Sequence, residues 1–479
     1  MSSWAPPIVG LVLSLWGIAD PSPWTDEIVT MDVARRPWPQ LEQMLGQVDA
    51  VHGLHYVLMY LTGQVAGVSE FTMRLPSAMA LAVAAACLSW LGRLLGGSRL
   101  GLYAGLLLAV LPTASRYAQE ARSFAFVTAA AVLATCALVK TMAGSRWWPA
   151  GYAVLIALLG WFNVLGLLLV AAHALTVALQ RPIRRVVLRL LLAQAAGLAA
   201  VVPVLVLGFS QRSAVGEISP ITVSTPYNFF SWLLSPGQGI LPGILTLLLP
   251  PTALVAVALL VARRHAAPPL VLTVGLPWLA VPTLLLMAIS VHHPLFAYRY
   301  LLYCLPALAL LLAAALSVLS RPAQLLLALM LAVPFTLSQQ AIRQQDSRAW
   351  DTKALVTTLQ GQAAPGDGVL FSGGRCDLIA SAYPKTFAHL PDLGTARTAA
   401  ERGTVNNLPA SPALLERRLS GATRVWRIAC GHLSLGSDHS AARAAAAQEQ
   451  ALAHAGLSPA YRDKAQGMDI TLYQRSVSE

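Results

Sequence analysis

The sequence predicts an α-helical polytopic membrane protein with about eleven transmembrane helices, followed by a small C-terminal α/β domain that folds in water. Three observations carry this reading. Of 479 residues, 56% are hydrophobic and only 11% are charged, where a soluble domain has about 25% charged residues. The runs 123–139, 190–211, 266–291, 300–320 and 322–342 contain no Asp, Glu, Lys or Arg, and a helix needs about 20 mostly apolar residues to cross a bilayer. The charges that remain before residue 346 segregate by sign along the chain.

The first span is 4–19. It is short and has neither a basic leading region nor a convincing small-residue cleavage site, so it reads as a spanning helix rather than a removable signal. Residues 20–73 form a long first outer loop. Within it, 54–66 is apolar but too short to span, which fits an interfacial or juxtamembrane helix. Spans at 75–95, 99–115 and 123–140 follow. The uncharged stretch 147–180 suits two short spans, 147–162 and 164–180, turning at Trp161-Phe162-Asn163. The remaining spans are 190–210, 241–262, 267–291, 300–320 and 322–340. The chain thus divides into a membrane domain, 1–345, and a polar domain, 346–479. In the polar domain 368–371, 424–428 and 469–473 read as strands, and 351–362 and 440–455 as helices.

Charge orients the spans. With a cytoplasmic N-terminus, the turns on that side carry Arg93, Arg99, Lys140, Arg146, Arg181, Arg184, Arg185, Arg189, Arg263, Arg264 and Arg321, as the positive-inside rule requires. Asp20, Asp26, Glu27, Asp32, Glu42, Asp49, Glu70, Glu120 and Glu217 all fall on the opposite face. An odd number of spans then puts 346–479 outside the cytoplasm. The net charge of +12 comes from clusters between apolar runs, so it points to a lipid bilayer and not to nucleic acid. Its basic residues are 29 Arg against 4 Lys, the usage of a GC-rich genome, so the expected location is a bacterial inner membrane. Cys87, Cys136 and Cys304 lie in apolar helices as packing residues. Cys376 and Cys430 lie in the outer domain, where a disulfide between them competes with two free thiols.

Four polar segments can carry chemistry. Asp26 and Glu27, in Ser22-Pro23-Trp24-Thr25-Asp26-Glu27, directly follow the first span. A carboxylate there can serve as general base toward an acceptor hydroxyl, or the pair can simply open a helix. Asp49, His52, His55 and Tyr56 offer substrate contacts, a divalent-cation site, or ordinary surface hydrogen bonds. Gly53 argues against a rigid helix presenting both histidines. In the turn after the third span, Arg122 can clamp a phosphate through its planar fork, while Arg116 and Glu120 have the spacing of an i,i+4 pair. In the segment His292 to Tyr300, Arg299 is a second phosphate-clamp candidate or an interfacial anchor among tyrosines.

These motifs in this order resemble the bacterial GT-C membrane glycosyltransferases related to protein O-mannosyltransferases and lipid A aminoarabinose transferases, the glycosyltransferase family 39-like enzymes. The resemblance rests on Trp24-Thr25-Asp26-Glu27 after the first span, Arg74-Leu75-Pro76-Ser77 opening the second, Gln119-Glu120-Ala121-Arg122 after the third, and Arg299-Tyr300 opening a late one. It covers residues 1–320. It implies an inverting transfer of sugar, mannose first, from a polyprenyl-phosphate carrier to a hydroxyl acceptor on a glycan, lipid or protein at the outer face. By position Asp26 is the catalytic carboxylate and Glu27 its orienting neighbour. Arg122 and Arg299 meet the lipid phosphate, and Asp49, His52, His55, Tyr56, Arg74, Glu120, His292 and Tyr300 complete the candidate binding set. No cofactor is firmly expected; a divalent cation on Asp49, His52 and His55 stays open. Two departures stand out. Lys140, the one lysine before residue 353, falls on the cytoplasmic side, so no lysine can hold the phosphate. Asp49 to Gly53 replaces the lysine-containing stretch of the lipid A enzymes, which leaves the acceptor open. A transporter or flippase of lipid-linked glycans is the competing class. Those place polar residues near mid-membrane and often contain repeats, whereas here the carboxylates sit at the surface and no repeat is visible.

Overall fold

The computed structural model describes residues 4–211, 218, 220–234, 269–431 and 439–475. Helices stand at ten of the eleven expected span positions; the span at 241–262, with Arg263 and Arg264, lies outside the described residues. By length and composition, five helices can cross a membrane: Glu70–Gly96, Phe124–Met142, Leu270–His292, Tyr298–Ser317 and Arg321–Ala341. Two bent pairs raise the number to seven. The apolar helices Ala5–Leu15, Trp148–Phe162 and Val164–Gln180 are shorter.

Proline accounts for both bends. Helix α6 (Ser98–Val110) and α7 (Pro112–Ala118) meet at 62° where Pro112 cannot donate to the helical ladder. The helices Arg184–Ala199 and Val202–Ser210 meet at 43°, with Pro203 in the first turn after the break. Glycine sets the tightest packing. A Cβ on Gly101 would lie 2.3 Å from the Ser89 carbonyl oxygen, and one on Gly105 would lie 2.7 Å from the Pro6 ring. These small residues bring α1 (Ala5–Leu15) and α5 (Glu70–Gly96) against α6, the usual solution where lipid supplies no hydrophobic drive between helices.

The segment that follows α1, 20–73, is folded throughout. It contains α2 (Thr25–Arg35), α3 (Trp38–Gln47), a 3-10 turn (Ala50–His52) and α4 (Gly53–Ala66); α4 is expected from the sequence, a helix at Asp26 and Glu27 is one of its readings, and α3 is not foreseen. Helix α4 buries His55, Tyr56 and Met59 and exposes Leu61 and Val65, as a helix at an interface does.

The C-terminal domain is built on a mixed four-stranded sheet in the order β1-β4-β6-β5: β1 (Gly368–Ser372), β4 (Arg424–Cys430), β6 (Met468–Arg475) and β5 (Leu457–Ala465). Strands β1 and β4 run parallel with Phe371 opposite Ile428; the other pairs are antiparallel. Strands β2 (Thr395–Arg397) and β3 (Leu408–Pro409) form a separate ribbon. Strand β5 was not expected from sequence, because it carries Pro459 and mostly polar residues; both are tolerated since it is an edge strand.

The first loop and this domain share one core. Ile28, Val29 and Met31 of α2 and Leu41 and Met44 of α3 pack with Trp350, Phe371, Ile379, Trp426 and Ile428. Ser22 donates to Asp351 at 2.8 Å, Arg36 to the Thr404 carbonyl at 2.8 Å, and Tyr383 to Glu70 at 3.0 Å. The domain is therefore joined to the first loop by packing and not only by the chain.

Candidate functional site

Helix α2 starts at Thr25 because Trp24 before it is extended, and no side chain caps the helix. Successive helical residues point about 100° apart, so Asp26 and Glu27 face different surroundings. Glu27 turns inward and its side chain is 1% exposed. It accepts two 2.8 Å hydrogen bonds from Arg74 and one of 2.9 Å from the Ala121 amide. Arg74 also donates to the carbonyls of Ile18 at 2.8 Å and Pro21 at 2.9 Å. From the resemblance Glu27 is expected beside Asp26 in the catalytic pair and Arg74 in the binding set. In the structure Glu27 and Arg74 are committed to each other, and together they bolt the first loop to α5 and to the turn before α8 (Phe124–Met142).

Asp26 turns to the rim, where its side chain is 19% exposed. Arg122 Nη2 lies 3.6 Å from Asp26 Oδ2, and Arg375 Nη1 lies 3.9 Å from Asp26 Oδ1. Arg299 is close enough to act on the same carboxylate by charge. Burial alone would raise the Asp26 carboxyl; Arg122, Arg299 and Arg375 outweigh it and hold the carboxyl below its ordinary value. Arg122 comes from the turn between α7 and α8, and its Nη1 is 3.5 Å from the Tyr56 hydroxyl. Arg299 opens the 3-10 segment Tyr298–Cys304, with its guanidinium over the rings of Trp24 (5.5 Å) and Tyr300 (5.3 Å).

The Asp49 wing closes one side. Tyr56 donates to Asp49 at 3.0 Å, and His55 Nε2 lies 3.0 Å from the Ala121 carbonyl. Burial, with Arg122 second, lowers His52 to about 4 and His55 well below the usual histidine value, so both rings are neutral at pH 7. As a cation site the trio does not converge. Helix α4 begins at Gly53, which leaves His52 ahead of the helix with non-helical backbone angles. Asp49 is engaged by Tyr56, and among the described residues no three His, Cys, Asp or Glu side chains are placed to hold a metal ion.

Of the other candidates, Glu120 is buried and pairs with Arg116 at 3.5 Å. Burial raises its carboxyl. Tyr300 lies beside Arg299 and Phe124. His292 is exposed at the end of Pro269–His292 and is not among the charged groups around Asp26.

Two arginines were missed. Arg375 arrives from the C-terminal domain, and its sequence signal was the Gly373-Gly374 turn ahead of Cys376. Arg348 follows the last apolar helix. It is 1% exposed, and none of its three guanidinium nitrogens has a hydrogen-bond partner among the described residues. The same is true of buried atoms on Trp24, His52, His55, Glu120, Arg122 and Arg299. Buried polar atoms are ordinarily paired, so this concentration marks a strongly polar region around Asp26 and Glu27. Three cations against one carboxylate suit it to an anionic ligand.

No protein-family model matches the sequence, and no curated protein sequence matches it. Solved structures do. Crystal structures of ArnT from Cupriavidus metallidurans are similar over 98% of this chain and 97% of theirs, with a TM-score of 0.63. The form bound to undecaprenyl phosphate is 13% identical and the apo form 12%. At that identity the likeness is one of fold. The oligosaccharyltransferase AglB from Archaeoglobus fulgidus, in complex with an inhibitory peptide and a dolichol-phosphate, is 11% identical over 89% of this chain and 69% of its own, with a TM-score of 0.48; a likeness that loose supports nothing further.

Proposed function

We propose that this chain, which has the fold of the GT-C glycosyltransferases, is an inverting glycosyltransferase. It moves a sugar from a polyprenyl-phosphate carrier to a hydroxyl acceptor at the outer face of a bacterial inner membrane. Mannose is the first candidate sugar. The observation that carries this is the single rim carboxylate, Asp26, ringed by Arg122, Arg299 and Arg375.

The acceptor hydroxyl attacks the anomeric carbon from the side opposite the phosphate. As the new carbon–oxygen bond forms, the bond from carbon to phosphate oxygen breaks, and the hydroxyl proton passes to Asp26. Polyprenyl phosphate leaves as an anion and needs no proton, so one base and cationic ligands suffice. A bound phosphate also draws on Arg122 and Arg299, two of the guanidiniums that stabilise the carboxylate. Asp26 is then less stabilised as an anion, which makes it a stronger base in the complex than in the free protein.

The test is reconstitution. Protein in liposomes, given polyprenyl-phosphate mannose, arabinose, galactose and an amino sugar in turn, should release polyprenyl phosphate from one donor in an acceptor-dependent way. No release from any of them would end the reading. Arg122→Ala and Arg299→Ala should each lower kcat by about 10–100-fold, the scale of one charged hydrogen bond. The Lys variants should fall between, because lysine keeps the charge without the planar fork. Wild-type kinetics in both Ala variants would reduce these arginines to anchors.

The topology is part of this reading: eleven spans, a cytoplasmic N-terminus, a membrane domain of 1–345 and an outer domain of 346–479. Reporter fusions at residues 183 and 345 should report opposite compartments. The same compartment for both would overturn the topology and the outer-face site with it.

A further inference from the structure

We propose that Arg375 of the C-terminal domain is a positioning residue for Asp26, and that the Cys376–Cys430 disulfide holds it in place. This rests on Asp26 being the base. Two arginines grip the carboxylate, one on each oxygen. Arg122 stands 3.6 Å from Oδ2 and Arg375 stands 3.9 Å from Oδ1. No hydrogen bond to either oxygen occurs among the described residues, so these two contacts set the direction in which the base points. One comes from the turn before α8 and the other from the C-terminal domain, 253 residues further along the chain.

The Arg375 loop is built to be still. Arg375 has φ of 63°, a left-handed conformation that is unfavourable for a side chain with a Cβ. Non-glycine residues in this conformation persist where their surroundings over-determine them, often at functional sites. Among the described residues only Asp49, Arg181 and Arg375 share it, and Asp49 also lines this site. Three restraints fix the loop. A Cβ on Gly373 would lie 2.3 Å from the Cys430 carbonyl oxygen, so the loop is pressed against the end of β4. Cys376, the next residue, is disulfide-bonded to Cys430 and fully buried. The Arg375 guanidinium donates through Nε to Asn406 at 3.2 Å. The Arg375 side chain is 31% exposed and its other charged contact is Asp26, so the domain core does not need it.

The other groups facing Asp26 are Arg122 and Tyr56 from the turn after α7 and from α4, Arg299 from Tyr298–Cys304, and His52 from the turn before α4. Removing Arg375 leaves two guanidiniums near the carboxylate, so its pKa should rise toward the ordinary range. Since the base works unprotonated, the acid limb of the rate profile should then move to higher pH.

Kinetics of Arg375→Gln, Arg375→Lys, Cys376→Ser/Cys430→Ser and the triple variant with Arg375→Gln test this, with Asp26→Asn as reference. Arg375→Gln should lower kcat by about 10–100-fold, the scale of a misplaced catalytic group. The donor KM should hold, the acid limb should shift upward, and Arg375→Lys should recover part of the rate. The double cysteine variant should lose a similar amount and the triple variant no more, because coupled residues are non-additive. Wild-type kcat and an unmoved acid limb in Arg375→Gln, or losses that multiply in the triple variant, would overturn the inference. If the cysteine variant does not fold, Arg375→Gln and Arg375→Lys decide alone. An inactive Asp26→Asn beside a fully active Arg375→Gln sinks only this inference; a fully active Asp26→Asn sinks the assignment of the base.

Discussion

Asp26→Asn should fold, bind the lipid-linked donor as the wild type does, and lose about 10²–10⁴-fold in transfer rate, the contribution of general base catalysis. The substitution keeps the shape of the side chain and removes its ability to take a proton. A hydroxyl is a poor nucleophile at neutral pH, and no other described carboxylate shares this position. Glu27 is sealed against Arg74, and Asp49 is held by Tyr56. Because three arginines depress the Asp26 carboxyl, the base is ionised at every pH above the ordinary carboxylate range. The wild-type kcat/KM, which reports the free protein, should therefore not fall on the acid side until the pH drops below the ordinary carboxylate value of about 4. Asp49 is the alternative base. An Asp26→Asn variant that turns over near the wild-type rate, with Asp49→Asn dead, would move the base to Asp49.

Glu27→Ala should do the opposite. It should cost about 3–5 kcal/mol of stability, the usual penalty for stranding one member of a buried ion pair. Arg74, 1% exposed, would keep its charge with no carboxylate to meet it, and the Ala121 amide would lose its acceptor. Thermal unfolding in detergent should show a clear fall in Tm for Glu27→Ala and little change for Asp26→Asn. Equal Tm values for the two would refute the division of labour. The pH dependence has a definite sign. Burial alone would raise Glu27, but Arg74 outweighs it and holds the carboxyl below its ordinary value. A depressed carboxyl contributes stability that is present above its unfolded-state pKa of about 4.3 and is lost as pH falls through the folded value. Glu27→Gln should remove that share of the acid sensitivity.

Much of the architecture was legible before any coordinates. Helix positions follow from apolar runs, because a helix in lipid must satisfy its backbone within its own segment. The strands at 368–371, 424–428 and 469–473 announced themselves by short β-favouring runs; β5 did not, because an edge strand tolerates proline and polar residues. The sign segregation also put Asp26, Arg122 and Arg299 on one face of the membrane, and the structure brings all three together. The resemblance put Asp26 ahead of Glu27, but the linear pattern could not show that Glu27 is sealed against Arg74 while Asp26 reaches the rim. The two carboxylates are adjacent and chemically alike, and they differ only in which side of α2 the bundle and the C-terminal domain cover. Nor could it recruit Arg375 or Arg348, or bury α2 and α3 beneath a domain more than 300 residues away. Local periodicity and charge are written within a few residues of each element. A partner hundreds of residues away leaves no local trace, since it is chosen by the packing of the whole chain.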